Sequence, residues 1–232
     1  MARLRAPADM TSLAIRRGAA RIRRLARAQS GVAAIEFAVT LPILLTLGMF
    51  GTEIAYLATV NTEISQLALS VADNASRLGQ TDNSSVTPTV TESDINSVMT
   101  GAMRQGAGIS FQTKGRVILT SLEKDAFTAK QWIHWQRCRG NLTSVTSSYG
   151  SAATGANGLT GPVITGMGAS GHQITASTGS AVMFVEVSYR YTGLFDDLFL
   201  PNRTIKQEAA FIIRDDRNLT PGVTGTGGAS AC

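Results

Sequence analysis

A hydrophobic run near the N-terminus places the strongest constraint on how this chain can fold. Residues 37–52 contain no charged side chain, and between Val32 and Thr52 the only charge belongs to Glu36. An α-helix over this stretch rises about 1.5 Å per residue and covers about 31 Å, which matches the hydrocarbon core of a bilayer. The sequence therefore predicts a membrane-spanning helix with an ionisable residue near its start.

The charge distribution predicts which way this helix crosses the membrane. Residues 1–30 contain eight arginines and one acid, whereas the rest of the chain carries a net charge of −2. Basic residues that directly precede a membrane segment stay in the cytoplasm, so the domain after the segment is expected on the exported side. A basic helix that binds anionic lipid or RNA is the alternative explanation of the arginines. Topology already accounts for their charge, and no nucleic-acid partner is predicted.

The helical pattern continues beyond the apolar run. From Ile54 onward the apolar residues are spaced three or four apart, and Gly79 ends the pattern. The predicted apolar stripe comprises Ile54, Leu57, Ile64, Ala68, Val71, Ala75 and Leu78, with Asn61 as a polar exception. The predicted polar face comprises Glu53, Glu63, Gln66, Ser70 and Asp73. We expect one transmembrane and amphipathic helix over 32–79. A membrane anchor followed by a separate helix is the alternative, because Gly48 and Gly51 weaken the joint.

The remaining sequence predicts a small exported domain of the α+β class. Residues 80–92 form a polar linker, and Thr91 or Ser93 caps a helix over 94–105. Alternating segments predict a mainly antiparallel sheet within a domain over 93–218. The predicted strands are 108–113, 116–122, 130–137, 181–191 and 205–214. A Gly/Ser/Thr-rich loop over 143–180 is expected to be exposed, and 219–232 forms a C-terminal tail.

Few residues in the sequence have the chemistry of a catalytic or metal site. Cys138 and Cys232 both lie on the exported side, where disulfides persist, which favours a bond between them. Two independent thiols remain the alternative. His134 and His172 are isolated, so no metal or cofactor site is predicted. Nothing resembles a nucleophile elbow or a phosphate-binding loop, and the chain is not predicted to be an enzyme.

The start of the apolar run combines the features of a processing site and an assembly site. Gly31 has no side chain, so a protease can approach its carbonyl closely. Cutting after it would give Val32 a free α-amine, and Glu36 lies on the same helix face four residues later. Both charges are unfavourable alone in lipid, and pairing them lowers that cost. In a filament, Glu36 of an incoming subunit would pair with a neighbour's amine and set the axial register.

This junction resembles a known type of prepilin. Gly31 followed by Glu36 and Phe37 is similar to the type IVb prepilin junction of the Flp type, where a tyrosine follows the glutamate. The wider segment 31–45 resembles the TadE-like family of pseudopilins from tight-adherence (Tad) pili. The resemblance implies that a membrane aspartyl prepilin peptidase cleaves between Gly31 and Val32 and removes the leader 1–31. It also implies that Glu36 is the assembly residue.

The resemblance also implies a pilin-like fold and a role in building the pilus. Because the chain is far longer than an Flp major pilin, it predicts a minor pilin for priming or tip assembly, with surface adherence and biofilm formation as the outcome. The implied partners are the prepilin peptidase, other pilins through the N-terminal helix, and the assembly platform of the bacterial inner membrane. The main alternative is an uncleaved, single-pass, signal-anchored envelope protein with a periplasmic binding domain.

Overall fold

The chain forms two compact units, Met1–Thr52 and Glu53–Cys232. A computed structural model describes residues 29–79, 87–125, 128–156, 164–214, 216–226 and 232. Most of the predicted leader and residues 80–86 of the predicted linker lie outside these residues. Helix α1 runs over Gln29–Ser76 and includes both the apolar run and the amphipathic stretch. The first unit, where it is described, consists of this helix alone.

The second unit has the predicted α+β fold. Its main sheet has the strand order β3-β2-β4-β5, and every neighbouring pair is antiparallel. A separate parallel pair joins β1 to β6. After α1 the elements are β1 (Val90–Thr91), α2 (Glu92–Gln105), a 3-10 turn (Gly106–Ile109), α3 (Phe111–Lys114), β2 (Gly115–Lys124), β3 (Gln131–Arg139), β4 (Ala181–Tyr191), β5 (Arg203–Ile212) and β6 (Val223–Thr224).

The segment before β2 confirms one prediction and overturns another. Thr91 caps α2: its hydroxyl oxygen accepts the N–H of Asp94 at 3.2 Å, and the Asp94 carboxylate accepts the N–H of Thr91 at 3.0 Å. The strand predicted at 108–113 is wrong, because these residues form parts of the 3-10 turn and α3. Ser110 takes a left-handed conformation with φ of 56° and turns the chain. This turn lets the ring of Phe111 stack on Tyr189, with centroids 6.2 Å apart.

One face of the sheet packs on α1 and α2. Alternate residues of β4, from Ala181 to Tyr191, contribute to this core. The residues that α1 buries there are Val60, Ile64, Leu67, Ala68, Val71, Ala72 and Ala75. The predicted stripe is therefore correct from Ile64 onward. Before Ile64 it is correct at Leu57, which packs against the core, but wrong at Ile54, which is exposed, and it places the buried Glu53 on the polar face. The buried face of α1 instead runs from Glu53 to Val60, seven residues later, and then to Ile64, four residues after that.

The other face of the sheet is covered by the Gly/Ser/Thr-rich loop. Its residues Ile164, Met167 and Ala176 are buried. They pack with Leu122, Ile133, Val182 and Phe184 of the sheet. Where it is described, the segment 143–180 contains no helix or strand, only isolated bridges such as Met167 with Ile174. The expectation of an exposed loop is wrong for the buried residues, because β4 is apolar on both faces and its second face also needs cover.

A buried carboxylate attaches this loop to the sheet. Glu186 on β4 accepts hydrogen bonds from the Ser147 hydroxyl at 2.5 Å and from the Ser148 N–H at 3.0 Å. Lys206 on β5 lies 2.8 Å from both Glu186 and Glu208. Burial alone would lower the pKa of Lys206, but the hydrogen bonds with these two carboxylates outweigh it and raise the pKa above its usual value. The buried charge of Glu186 is thus paired as well as hydrogen-bonded.

Candidate functional site

The predicted processing and assembly residues lie on the first turns of the described helix. Gly31, Val32, Glu36 and Phe37 are all exposed. A Cβ atom at Gly31 would meet nothing within 4 Å. The Thr40 hydroxyl donates to the backbone carbonyl of Glu36 at 2.8 Å, a bond to the backbone and not to the carboxylate. The exposed side chains leave this segment accessible to an enzyme or to another helix.

The apolar part of α1 presents its side chains outward. The helix is long and apolar enough to cross a membrane, and its most apolar window is not buried within the protein. The Thr46 hydroxyl donates to the carbonyl of Pro42 at 2.8 Å, so a polar group beside the proline is satisfied within the helix. The exposed large apolar residues of this part are Val32, Ile35, Phe37, Val39, Leu41, Ile43, Leu44, Leu45, Leu47 and Phe50.

Comparison with known proteins identifies this helix. A family model described as TadE-like protein matches residues 31–73. These residues form a TadE-like segment. The match includes Glu36 and Phe37, and it confirms the resemblance seen at the junction. No curated protein and no solved structure matches the chain. Over the residues that the structure describes, one helix is long and apolar enough to cross a membrane, and together with the TadE-like match it indicates a pilus-associated protein with a membrane anchor.

The TadE-like segment also contains a buried carboxylate that sequence reasoning missed. Glu53 is 0% exposed. Its Oε1 accepts the hydroxyl of Tyr191 at 2.5 Å, and its Oε2 accepts the N–H groups of Leu194 at 3.0 Å and Phe195 at 3.3 Å. All three donors are neutral. The pKa of Tyr191 is raised above its usual value, mainly by burial and further by the hydrogen bond and the charge of Glu53. A signal was present in the sequence, because Glu53 lies seven residues before Val60 on the same helix face.

Glu53 holds the β4–β5 loop, which comprises residues 192–202. The loop folds back on itself through a bridge between Gly193 and Asp196. A side chain at Gly193 would collide with the Glu53 carboxylate and the Asp196 carbonyl, so only glycine fits at this close approach. Phe195 and Phe199 meet edge to face, with ring centroids 5.8 Å apart. The loop is thus fixed by a buried anion and by its own aromatic pair.

The C-terminal end of α1 is held by arginines from beyond the sheet. The Arg217 guanidinium donates to the carbonyl of Ser76 at 2.8 Å. The backbone N–H of Arg214 donates to the same carbonyl at 3.2 Å, and the Arg214 guanidinium lies 2.6 Å from the Asp73 carboxylate. The last carbonyls of a helix lack partners within the helix, and cations there also favour the negative end of its dipole. These contacts fix the end of the TadE-like helix on the domain.

The other residues singled out in the sequence have structural contacts. Cys138 and Cys232 form a disulfide, with their Cα atoms 4.9 Å apart. His134 lies 2.9 Å from Glu123 and packs on the ring of Trp132. Within the described ranges, no group of three or more His, Cys, Asp or Glu side chains is placed to hold a metal ion. The roles of Gly31, Val32, Glu36 and Phe37 in processing and assembly stay predictions.

Proposed function

We propose that this protein is a minor pilin, or pseudopilin, that primes or tips a Tad/Flp-type pilus used in surface adherence and biofilm formation. The observation that carries the proposal is the TadE-like match on a helix whose apolar side chains are exposed. Such a surface is stable only in lipid or against other apolar helices. A pilin uses both environments in turn, first in the inner membrane and then in the filament. Its role in the assembly platform is structural and involves no catalysis.

Cleavage between Gly31 and Val32 by a prepilin peptidase is the first step of the proposal. The open space around Gly31 supports it, because no side chain of the described chain lies where the enzyme must approach. We would express the wild type, Gly31→Leu and the control Gly48→Leu in cells that contain the peptidase, and measure intact mass. Gly48 has equally open surroundings.

The wild type and the control should both begin at Val32, whereas Gly31→Leu should retain its leader. A wild-type chain that keeps its leader in these cells would contradict the pilin proposal. It would instead favour the uncleaved, signal-anchored envelope protein.

Assembly through Glu36 is the second step. An exposed carboxylate within an apolar helix is unfavourable in lipid, and pairing it with the α-amine of a neighbouring subunit removes much of that cost. The pairing also fixes how far one helix slides along the next. Glu36→Gln keeps the size of the side chain but removes the charge. Its matched control is Glu63→Gln, at a partly exposed glutamate further along the same helix.

The measurement is an immunoblot of pili sheared from cells, compared with the membrane fraction. Glu36→Gln should be cleaved normally and remain in the membrane, while Glu63→Gln should appear in pili at the wild-type level. Incorporation of Glu36→Gln at the wild-type level would refute the register argument.

A further inference from the structure

We propose that the β4–β5 loop is a second membrane contact, which inserts Leu194 and Leu198 into the headgroup region of the bilayer that the apolar part of α1 spans. The occupant of this surface is lipid. The proposal requires only that residues 31–52 span a membrane. It depends neither on cleavage at Gly31 nor on entry into a pilus.

The first argument is that the loop contacts the residue that directly follows the apolar run. Glu53 directly follows Thr52, the last residue of the apolar run. The backbone N–H groups of Leu194 and Phe195 lie within 3.3 Å of the Glu53 carboxylate. A glutamate side chain reaches about 5 Å from its Cα, so the loop backbone lies within about 8 Å of the α1 backbone at Glu53. The headgroup layer on each side of a bilayer is about 5–8 Å thick, which is a similar distance.

The chemistry of the loop is the second argument. Leu194 and Leu198 are 52% and 68% exposed, although the loop backbone is fixed by Glu53. Large apolar side chains that a fixed loop presents at the end of a membrane span suit insertion at the interface, where burial of apolar area strengthens binding. Asp196 and Asp197 lie between the two leucines and are exposed, so they can stay in water.

Basic residues border the loop on both sides. The Lys114 ammonium donates to the Thr192 hydroxyl at 2.6 Å, at the start of the loop. Arg203 begins β5 directly after it and is exposed. Cations at this level can contact phosphate groups of the lipid, as basic residues next to membrane segments do. The loop therefore presents two exposed leucines between basic residues, with the carboxylates of Asp196 and Asp197 left in water.

The test uses the full chain in nanodiscs with one spin label attached at Leu198→Cys. The matched control is Ile212→Cys, because Ile212 is also a large apolar residue and is 58% exposed. It lies at the opposite end of β5 from Arg203, about 30 Å away at about 3.3 Å per residue. The measurement compares collisions of each label with oxygen, which enters lipid, and with a water-soluble nickel chelate.

The label at 198 should collide with the nickel chelate at least threefold less often than the label at 212, relative to oxygen. Equal accessibility at the two positions would overturn the proposal. Nanodiscs that hold a single chain distinguish protection by lipid from protection by a second copy of the protein. If the label at 198 is protected only in discs that hold two chains, the surface binds another subunit and the lipid proposal is overturned. The same measurement on Glu36→Gln should be unchanged, which keeps this result independent of the pilin proposal.

Discussion

Removing the Tyr191 hydroxyl tests whether Glu53 stabilises the domain as the structure indicates. In Tyr191→Phe the ring keeps its place beside Tyr56, 5.9 Å away between centroids, so the substitution opens no cavity. It removes only the 2.5 Å hydrogen bond to the buried carboxylate. The two backbone N–H groups of Leu194 and Phe195 remain as donors to Glu53.

The expected loss follows from the charge on the acceptor. A hydrogen bond to a charged group contributes about 1.5–3 kcal/mol, so we expect the free energy of unfolding to fall by about 2 kcal/mol in Tyr191→Phe. Glu53→Ala should cost about 4 kcal/mol, since it leaves three donors unpaired and opens a cavity. In that background Tyr191→Phe removes a hydroxyl that has already lost its acceptor and should be nearly neutral. The double-mutant cycle should therefore give a coupling of about 2 kcal/mol.

The assay is denaturant unfolding of the full chain in detergent micelles, with the disulfide intact and the fluorescence of Trp132 and Trp135 as the signal. Tyr149→Phe is the matched control. The Tyr149 hydroxyl donates to Glu208 at 2.9 Å near the surface, where the loss should be below about 1 kcal/mol. If Tyr191→Phe costs the same with and without the Glu53 carboxylate, the stabilisation does not come from this hydrogen bond and the reasoning is refuted.

Three further predictions concern the rest of the domain. Glu186→Gln removes the charge that pairs with Lys206 and should speed proteolysis within 143–156, as detected by mass spectrometry of the fragments. An unchanged rate of cleavage would show that the loop is held by apolar packing alone. The Cys138–Cys232 disulfide has a sequence separation of 94, so its reduction should lower stability by about 4–5 kcal/mol, and a reductant should have no effect on Cys232→Ser. The pKa of Tyr189 is raised from 10.0 to about 12, mainly by burial and further by the charges of Tyr56 and Glu63. The resulting stability is fully present below pH 10 and is lost as the pH rises through 12, so the phenolate absorbance of Tyr189→Phe should match that of the wild type near pH 10 and fall below it only as the pH approaches 12.

The parts of the fold that the sequence predicted are those with a clear period or a local signal. The apolar run and the later stripe from Ile64 to Ala75 required only helical spacing. The alternation in β4 predicted a strand over 181–191, with the bounds that the structure shows. Thr91 is one of the two caps that the sequence predicts, because the exchange of hydrogen bonds with Asp94 spans only three residues. Each of these features is determined by near neighbours in the chain.

The features that escaped prediction depend on contacts between distant residues. Burial of Glu53 is possible because Tyr191, 138 residues later, and the backbone N–H groups of Leu194 and Phe195 donate hydrogen bonds to it. From the sequence alone, a lone glutamate such as Glu53 is therefore predicted on the polar side of the helix. The segment over 108–113 alternates like a strand, but Gly106 and Gly115 make room for the ring of Phe111 and favour a compact turn instead. The local sequence pattern does not reveal such contacts between distant residues.

The cover on the second face of the sheet has a consequence for how relatives of this protein can differ. The segment over 143–180 has the composition of a surface insertion, in which length and sequence usually vary freely. Here Ile164 and Met167 complete a core with Val182 and Phe184, so the segment cannot be lost alone. A relative that lacks it should carry polar residues at the positions of Val182 and Phe184, or another element in its place. Deletion of the loop and polarity of the strand should therefore evolve together.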